Sequence, residues 1–324
     1  MLKKLTLSAL AIIMILGVAA TAGEKVPVFG YIAHKRTDVW NNYSILSFEA
    51  AAREKGVETV IIDPESNMEK AVASMEDLIT QKVDGIAVYT ITPDLDIRLA
   101  RMANAAGIPI AFENSLPTPG YEDLYISCVA CRYEDIGYAA GRYIGQNWPK
   151  AKIFYCMGQP GMNITEPYEE GFHRGLKEEG IFENLVATQP TDWGTESAMN
   201  VTQNLIQSGV EFEVIFANNE QMAQGCLNAL RDAGLAGKVK IVSTGGGPDG
   251  LQMVRDGLLD ATMSAPVSVQ GTLSFRNLWR TYRGIPVTEK FQPLPIVPVN
   301  KDNIDSAVSW EFSPAVVKLI GGLD

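Results

Sequence analysis

The sequence contains few of the residues that bind metal ions. Only two histidines and four cysteines occur among 324 residues, whereas a zinc site needs three or four such ligands close together. Cys128 and Cys131 form a single C-x-x-C pair, and Cys156 and Cys226 stand apart from it. We therefore expect no metal and no cofactor. We interpret the C-x-x-C pair as structural, either a local disulfide or two buried thiols.

Positive charge is also scarce. The chain has 27 Lys and Arg against 38 Asp and Glu, which gives a formal net charge of -11 at pH 7. Nucleic acids and anionic membrane surfaces both require basic patches on a protein, so neither is expected as a partner. Hydrophobic residues make up 46% and charged residues 20%, as in folded soluble proteins. A chain of this length exceeds a single hydrophobic core, which favours two domains.

The amino end has the features of an export signal. Two lysines precede an apolar run over Leu5–Val18, and the small residues ATA follow it. These features match a signal peptide with an A-x-A cleavage site. The apolar run is shorter than the roughly 20 residues that a membrane-spanning helix needs. We therefore predict a signal peptide over residues 1–22, cleavage near Gly23 and a soluble protein in the periplasm, rather than a membrane anchor.

Residues 245–250 read GGGPDG and satisfy the pattern G-x-G-x-x-G between a predicted strand and a predicted helix. In dinucleotide-binding proteins this pattern usually opens the domain, and an acidic residue about 20 positions later binds the ribose. Here it lies late in the chain, and the next predicted strand ends in Ser264 and Ala265 instead of an acid. We therefore predict a turn from strand to helix, not a nucleotide site.

Short β-rich segments alternate with amphipathic segments of helical length from residue 26 onward. Strands are predicted by PVFGYIA, ETVIID, DGIAVYT and IPIAFE, and the same rhythm restarts after YEDLYISCVAC. This order predicts the α/β class, with two tandem units of parallel strands, right-handed crossovers and helices on both faces. The chain is expected to cross between the units at about residues 127–132. The proline-rich QPLPIVPVN predicts an extended edge or hinge segment.

In open parallel sheets, ligands bind beyond the carboxyl ends of the strands. The loops at those ends carry aromatic, amide and carboxylate side chains, a mixture that suits a polyhydroxylated ligand. The loops are His34 to Trp40, Tyr89 to Pro93, Glu113 to Ser115, Gly158 to Tyr168, Trp193, Asn218 to Gln221, and Gly245 to Asp249.

Two kinds of enzyme are alternatives to a binding protein. A serine hydrolase is disfavoured because no G-x-S-x-G elbow occurs and neither His34 nor His173 adjoins a nucleophile motif; His173 is expected on a helix surface. Paired carboxylates would suit a glycosidase, and Glu113, Glu166 and Glu220 all fall in candidate loops. They are equally well explained as helix N-terminal acids or solvated loop residues, so an exported hydrolase stays open as the alternative.

Several ordered motifs together resemble one family. The run QPTDWGTESAMNVTQNLIQSGVEFEVIFANNEQMAQGCLNALRDAG, followed by KIVSTGGGPDGLQMVRDGLLDATMSAP, resembles the carboxyl domain of periplasmic sugar-binding proteins of the ribose-binding type. The amino half agrees through SFEAAAREKGVE, LITQKVDGIAV, TPDLDIRLARMANAAGIPIAFENS and IGYAAGRYIG. The resemblance covers almost the whole mature chain.

The resemblance implies the type I periplasmic binding protein fold, in which two Rossmann-like lobes enclose a ligand and three hinge crossings join them. It implies a carrier without catalytic activity that serves an ABC permease and often a chemoreceptor. A sensor for a membrane receptor is therefore a second alternative. We expect a monomer with an N-terminal lobe of residues 23–130 and 265–293, and a C-terminal lobe of 131–264 and 294–324. Hinge motion is expected near 128–132, 264–267 and 292–297.

The family's ligand-binding positions can be carried over to four residues. Asp38 and Trp40 fall where the first loop supplies a polar contact and an aromatic wall. Trp193, in PTDWG, matches the second aromatic wall, and Asn219, in FANNEQMA, matches a ligand-binding asparagine. The resemblance thus implies an apolar sandwich around a small polar ligand.

Other positions depart from the ribose-binding pattern. Asn114 and Ser115 replace an Asp-Arg pair, Glu166 replaces an arginine, Gly245 an aspartate and Ala265 a glutamine. Because a buried site selects by matching each polar group, these changes predict a ligand other than ribose.

Substitute contacts are expected from His34, Lys35, Glu113 and Tyr168. The candidate ligands are a polyol, a modified sugar, or a furanone signal of the autoinducer-2 kind, whose binding proteins have an ending similar to NKDNID. Because Glu166 stands where the ribose-binding pattern has an arginine, the site gains negative charge. This charge also permits a ligand with an amino group.

Overall fold

Two six-stranded sheets organise the part of the chain that the computed structural model describes, residues 25–161 and 164–324. The predicted signal peptide over residues 1–22 lies outside these residues. The first part of the chain forms β1 (Val28–Ile32), α1 (Val39–Glu54), β2 (Glu58–Ile62), α2 (Met68–Gln81), β3 (Gly85–Tyr89), α3 (Pro93–Ala105), β4 (Ile110–Glu113) and β5 (Ser127–Ala130).

The second part repeats the alternation and then returns to both sheets. It forms α4 (Tyr133–Asn147), β6 (Ile153–Met157), α5 (Thr165–Glu178), β7 (Leu185–Pro190), α6 (Thr195–Gln207), β8 (Val214–Ala217), α7 (Glu220–Asp232), β9 (Lys240–Gly245), α8 (Pro248–Arg255) and β10 (Ala261–Ser264). The last elements are α9 (Val267–Tyr282), β11 (Phe291–Pro293), β12 (Val297–Asn300) and α10 (Pro314–Leu319).

The two sheets have the same strand order. The first sheet runs β11-β5-β4-β3-β1-β2 and is parallel throughout. The second runs β12-β10-β9-β8-β6-β7, with only β12 antiparallel to its neighbour. The chain passes from one sheet to the other after β5, after β10 and between β11 and β12. The predicted α/β class, with two tandem units of mostly parallel strands, is confirmed.

Helix-terminal residues explain where the helices begin and end. The side chain of Asp38 caps α1 by accepting from the backbone N–H of Asn41, and Asn219 caps α7 in the same way. The predicted helix ends at Gly56 and Gly107 have φ of 67° and 71°, a left-handed conformation that glycine adopts without steric cost.

The core is distributed over both faces of each sheet. Every residue of β3 and β8 is buried, as expected for parallel strands covered by helices on two sides. All four cysteines lie in the described part of the chain and are buried free thiols. Burial raises the pKa of the Cys128 and Cys131 thiols, which keeps them protonated and unreactive. Of the two alternatives for the C-x-x-C pair, the structure has the buried thiols.

The carboxyl-terminal residues return to the first sheet after β12. Phe312, Val317 and Ile320 pack against the core formed by α1, α9 and the first sheet, and Leu323 is buried there. The prediction assigns residues 294–324 to the second lobe, and these lobe boundaries stay a prediction; the contacts place Phe312, Val317 and Ile320 against the first core, and Val316 belongs to the cluster around α4 and α5. No helix among the described residues is long and apolar enough to span a membrane.

Candidate ligand-binding site

The loop after β1 is held by a fully buried asparagine. Asn41 Oδ1 accepts hydrogen bonds from the backbone N–H groups of His34 (3.0 Å) and Lys35 (3.1 Å). The His34 ring then stacks on Tyr89 at the end of β3, with centroids 5.9 Å apart and planes 8° from parallel. Burial lowers the pKa of His34, so its imidazole is neutral at pH 7 and can both donate and accept.

Glu113 lies beneath this loop and not among the loop residues. Its Oε2 accepts from Tyr31 Oη (2.7 Å), Ser44 Oγ (2.6 Å) and Gln270 Nε2 (3.3 Å), and the residue has no solvent exposure. Tyr31 Oη in turn accepts from Asn41 Nδ2 (3.3 Å). Glu113 therefore supports the first loop through two intermediaries, and burial raises its pKa. These bonds give Glu113 a positioning role, while its Oε1 has no partner among the described residues, so the expected ligand contact stays a prediction.

An aromatic cluster connects the first loop to the glycine-rich loop. The Trp40 ring lies 5.0 Å from the ring of Trp310, nearly perpendicular to it, and Tyr43 lies 5.6 Å from the same ring. Trp310 Nε1 donates to the backbone oxygen of Gly245 at 3.1 Å. Two predicted site residues from different sheets, Trp40 and Gly245, are thus brought together. Trp310 lies in an irregular segment without periodicity, so no sequence pattern indicates its place in the site.

A second connection joins Asn114 to Tyr168. The Tyr133 hydroxyl lies 2.7 Å from Asn114 Oδ1 and 2.8 Å from its backbone oxygen, and it donates to them. The Tyr133 ring lies 5.2 Å from the ring of Tyr168, whose hydroxyl is 3.0 Å from Thr244 Oγ1. Asn114 adopts a left-handed φ of 75°. The Tyr133 hydroxyl shares its proton between the backbone oxygen and the side-chain oxygen of Asn114.

The loop after β7 places Trp193 against the backbone of the loop after β6. A Cβ on Gly158 would overlap the Trp193 ring, so only glycine allows this approach. Asn219 Nδ2 donates to the backbone oxygen of Trp193 (3.1 Å), while its Oδ1 accepts from the Met222 N–H (2.7 Å). Asn219 therefore fixes Trp193 and caps α7 at the same time.

Two buried donors have no acceptor among the described residues. They are Trp40 Nε1, in the first turn of α1 in the first unit, and Asn218 Nδ2, directly after β8 in the second. The orientation of the Asn218 amide is set by Tyr155 Oη and the Gly158 N–H, which both donate to its Oδ1 at 2.9 Å. An unsatisfied buried donor costs about 1 to 3 kcal/mol, so both positions suit a ligand oxygen.

The amides of the glycine-rich loop bind a carboxylate of the protein itself. The N–H groups of Gly246 (2.6 Å) and Gly247 (3.1 Å) donate to Glu220, and Thr262 Oγ1 does so at 3.1 Å. A Cβ on Gly250 would overlap the same carboxyl group. Because Glu220 fills the position that a phosphate would take, the structure agrees with the predicted strand-to-helix turn.

Among the predicted site residues, Glu166 is exposed to solvent. It lies in the first turn of α5, and its Oε1 accepts from the Gly161 N–H at 2.6 Å. Each of the three carboxylates of the hydrolase alternative, Glu113, Glu166 and Glu220, accepts at least one hydrogen bond from the protein, and Glu113 Oε1 has no partner among the described residues. No group of three or more His, Cys, Asp or Glu side chains suited to a metal occurs within residues 25–161 and 164–324.

The Glu220 carboxyl predicts a pH-dependent stability. Burial raises its pKa from 4.5 to about 7, although the loop amides and Thr262 act in the opposite direction. The folded state thus keeps a proton that the unfolded state releases near pH 4.5. Between pH 4.5 and 7, the free energy of unfolding of the wild type should fall by about 1 to 3 kcal/mol relative to Glu220→Gln. Urea denaturation of both proteins across this range measures the difference, and a constant difference would contradict the assignment.

The paired sheets, three crossings and aromatic and amide groups at the strand ends define a two-lobed ligand-binding protein. Residues 29–285 match the family model described as periplasmic binding protein domain. The ribose import binding protein RbsB of Salmonella typhimurium is 31% identical over 229 residues, which cover 69% of this chain and 75% of that protein. The chain belongs to the periplasmic binding protein family, as its motifs predict. The family is one of binding proteins, and this relative is named as a binding protein and not as an enzyme.

Another relative and two solved structures are also similar to this chain. A putative rhizopine-binding protein of Rhizobium meliloti is 26% identical over 259 residues, covering 77% of this chain and 82% of that protein. A solute-binding protein of Actinobacillus succinogenes with bound D-allose has a TM-score of 0.80 at 23% identity, covering 86% of this chain and 99% of the other. One from Bacillus halodurans with bound myo-inositol has a TM-score of 0.80 at 22% identity, covering 88% and 98%. At these identities the structures establish the shared fold.

Proposed function

We propose that the protein binds a small polyhydroxylated ligand, a sugar or a polyol, between its two sheets and delivers it to an ABC importer. The main support for the proposal is a pair of buried donors without an acceptor among the described residues, one in each unit: Trp40 Nε1 in the first turn of α1 and Asn218 Nδ2 directly after β8. A ligand with several oxygen atoms would satisfy both donors at once. A sequence relative is named for ribose import, and two solved structures of the same fold contain D-allose and myo-inositol. These proteins support this class of ligand.

Ring stacking supplies the apolar part of the proposed site. Trp40 and Trp193 are only half-buried, and both pack against the hydrophobic cluster around α4 and α5. Sugars and polyols have apolar C–H faces that stack on such rings. The nearby polar residues Asp38, His34, Asn114, Tyr168 and Asn219 position the loops and complete the wall.

The proposed ligand differs from ribose. Where ribose-type members carry arginine and glutamine, this chain has Ser115 and Ala265, which are both buried. Neither can donate the charged or amide hydrogen bonds that those residues make. Since unmatched polar groups in a buried site strongly lower affinity, we expect weak binding of ribose and better binding of a hexose, a polyol or a furanone signal.

The site would close by movement about the three crossings between the sheets. A ligand that contacts both lobes only in the closed form stabilises that form. We propose a monomer, exported by the signal peptide over residues 1–22, that works in the periplasm with the permease of an importer. A chemoreceptor would recognise the same closed form.

Thermal unfolding of the mature protein against a panel of compounds tests the proposal. The panel contains pentoses, hexoses, inositols, amino sugars and furanone signals, after removal of copurified ligand by unfolding and refolding. A ligand at about 100 times its Kd adds about 2.7 kcal/mol to stability. We expect a selective rise in midpoint that disappears in Asn218→Ala. Conversion of the compound to a product would instead establish the hydrolase.

A further inference from the structure

The carboxyl-terminal segment, residues 301–324, runs from one sheet to the other. It begins on the second unit, where Ile304 packs against the core formed by α7, α8 and the second sheet. It ends on the first unit, where Phe312, Val317 and Ile320 pack beside α1 and α9. The family match ends at residue 285, so this link lies outside the region that the match covers.

The last residues are fixed to the first unit by polar contacts. The Asp324 carboxylate lies 2.7 Å from Lys55 Nζ and 3.3 Å from Trp279 Nε1, and its backbone oxygen accepts from Arg280 at 3.0 Å. The backbone oxygen of Ile320 accepts from Arg276. These hydrogen bonds therefore hold the end of the segment against α1 and α9.

Trp310 stands at the point where the segment passes from one unit to the other. Only 6% of its surface is exposed. Its indole N–H donates to Gly245 of the second unit, and its ring contacts Trp40 and Tyr43 of the first. Next to it, Ser268 Oγ at the start of α9 donates to the backbone oxygen of Ser309 at 2.6 Å. One side chain thus touches a proposed ligand-site residue of each unit.

We propose that residues 301–324 form a strap that limits the separation of the two units, and that Trp310 is a positioning residue of the ligand site. The strap is a fourth covalent link, in addition to the three crossings between the sheets, and Trp310 adds ring packing and a hydrogen bond to Gly245. A buried tryptophan removes about 150 to 250 Å² of surface from water, so separating Trp40 from Gly245 would expose apolar area. The strap therefore biases the unliganded protein toward the closed arrangement, which lowers the conformational cost of binding.

Solution scattering of the unliganded protein tests the strap without any ligand. Three variants are compared with the wild type: Trp310→Ala, Trp310→Phe, and a truncation that ends at Phe312 and keeps Trp310. We expect a larger radius of gyration for Trp310→Ala and for the truncation, and an intermediate value for Trp310→Phe. The control is Trp148→Ala, which removes a half-buried tryptophan at the end of α4, on the second unit. A cooperative unfolding transition is required of each variant.

The scattering result tests the strap, and the binding result tests the role of Trp310 in the ligand site. An unchanged radius of gyration in both Trp310→Ala and the truncation overturns the proposal, as does an equal increase in Trp148→Ala. The binding readout, which rests on the proposed function, uses D-allose and myo-inositol as probes. For a probe that the wild type binds, Trp310→Ala should raise Kd about 10-fold, mainly through faster dissociation. If the wild type binds no sugar, the proposed function fails, while the scattering comparison still decides on the strap.

Discussion

Replacing Trp193 with alanine is expected to weaken sugar binding by about 1 to 3 kcal/mol, a factor of roughly 5 to 150 in Kd. The ring lies so close to Gly158 that a Cβ on that residue would overlap it, and the ring is only half-buried. The open part of the ring is the surface that a bound sugar would cover. The substitution removes the stacking face and leaves the backbone anchors of the loop in place, because Asn219 binds the Trp193 backbone oxygen.

Isothermal titration with the compound that most raises the unfolding midpoint measures this loss. Trp148→Ala is the matched control, since it removes a half-buried tryptophan that packs against Tyr143, away from the strand ends. We expect the wild-type Kd for the control and a raised Kd for Trp193→Ala. Equal affinities for both variants would remove Trp193 from the site.

Gly171→Ala is expected to lower the free energy of unfolding by about 1 to 3 kcal/mol. Helices α4 and α5 approach so closely here that a Cβ on Gly171 would overlap the backbone oxygen of Glu134 and lie 2.9 Å from the Tyr138 nitrogen. Backbone atoms cannot rotate away as a side chain does, so the helices must separate. In chemical denaturation the midpoint should fall while the denaturant dependence is unchanged.

The neighbouring Glu170→Ala provides the control for this prediction. Glu170 is exposed on the same helix, and surface substitutions of this kind change stability by less than about 0.5 kcal/mol. Because α5 carries Tyr168, a shift of the helix should also reduce ligand affinity. Wild-type stability in Gly171→Ala would show that the helices are not packed as closely as described.

The fold could be predicted from the sequence because its signals are local. Alternation of short apolar runs with helical periodicity specifies parallel sheets, and Gly56 and Gly107 mark helix ends through a backbone preference. The direction of a side chain at a strand end is not local in this way. Glu113 ends β4 and Asn114 follows it, but their side chains bind different groups: Glu113 accepts from Tyr31 and Ser44, and Asn114 accepts from Tyr133. Because every residue of β4 is buried, its pattern does not show which neighbouring residue reaches the loops.

The remaining site residues depend on contacts between distant parts of the chain. Trp310 meets Trp40 and Gly245 only because the carboxyl-terminal segment returns across both sheets, and no periodicity marks that path. Likewise, the sequence of the glycine-rich loop does not show whether its backbone amides bind a phosphate or the carboxylate of Glu220. Only the packing of α7 against β9 places the carboxylate there.

We propose that the chain binds one small polyhydroxylated molecule and returns it unchanged. Isothermal titration of ligand-free mature protein with the panel compounds, followed by chromatography of the recovered compound, tests this proposal most directly. We predict saturation at one molecule per chain for a sugar or polyol, with the compound recovered intact. Absence of binding for every compound, or recovery of a product, would contradict it.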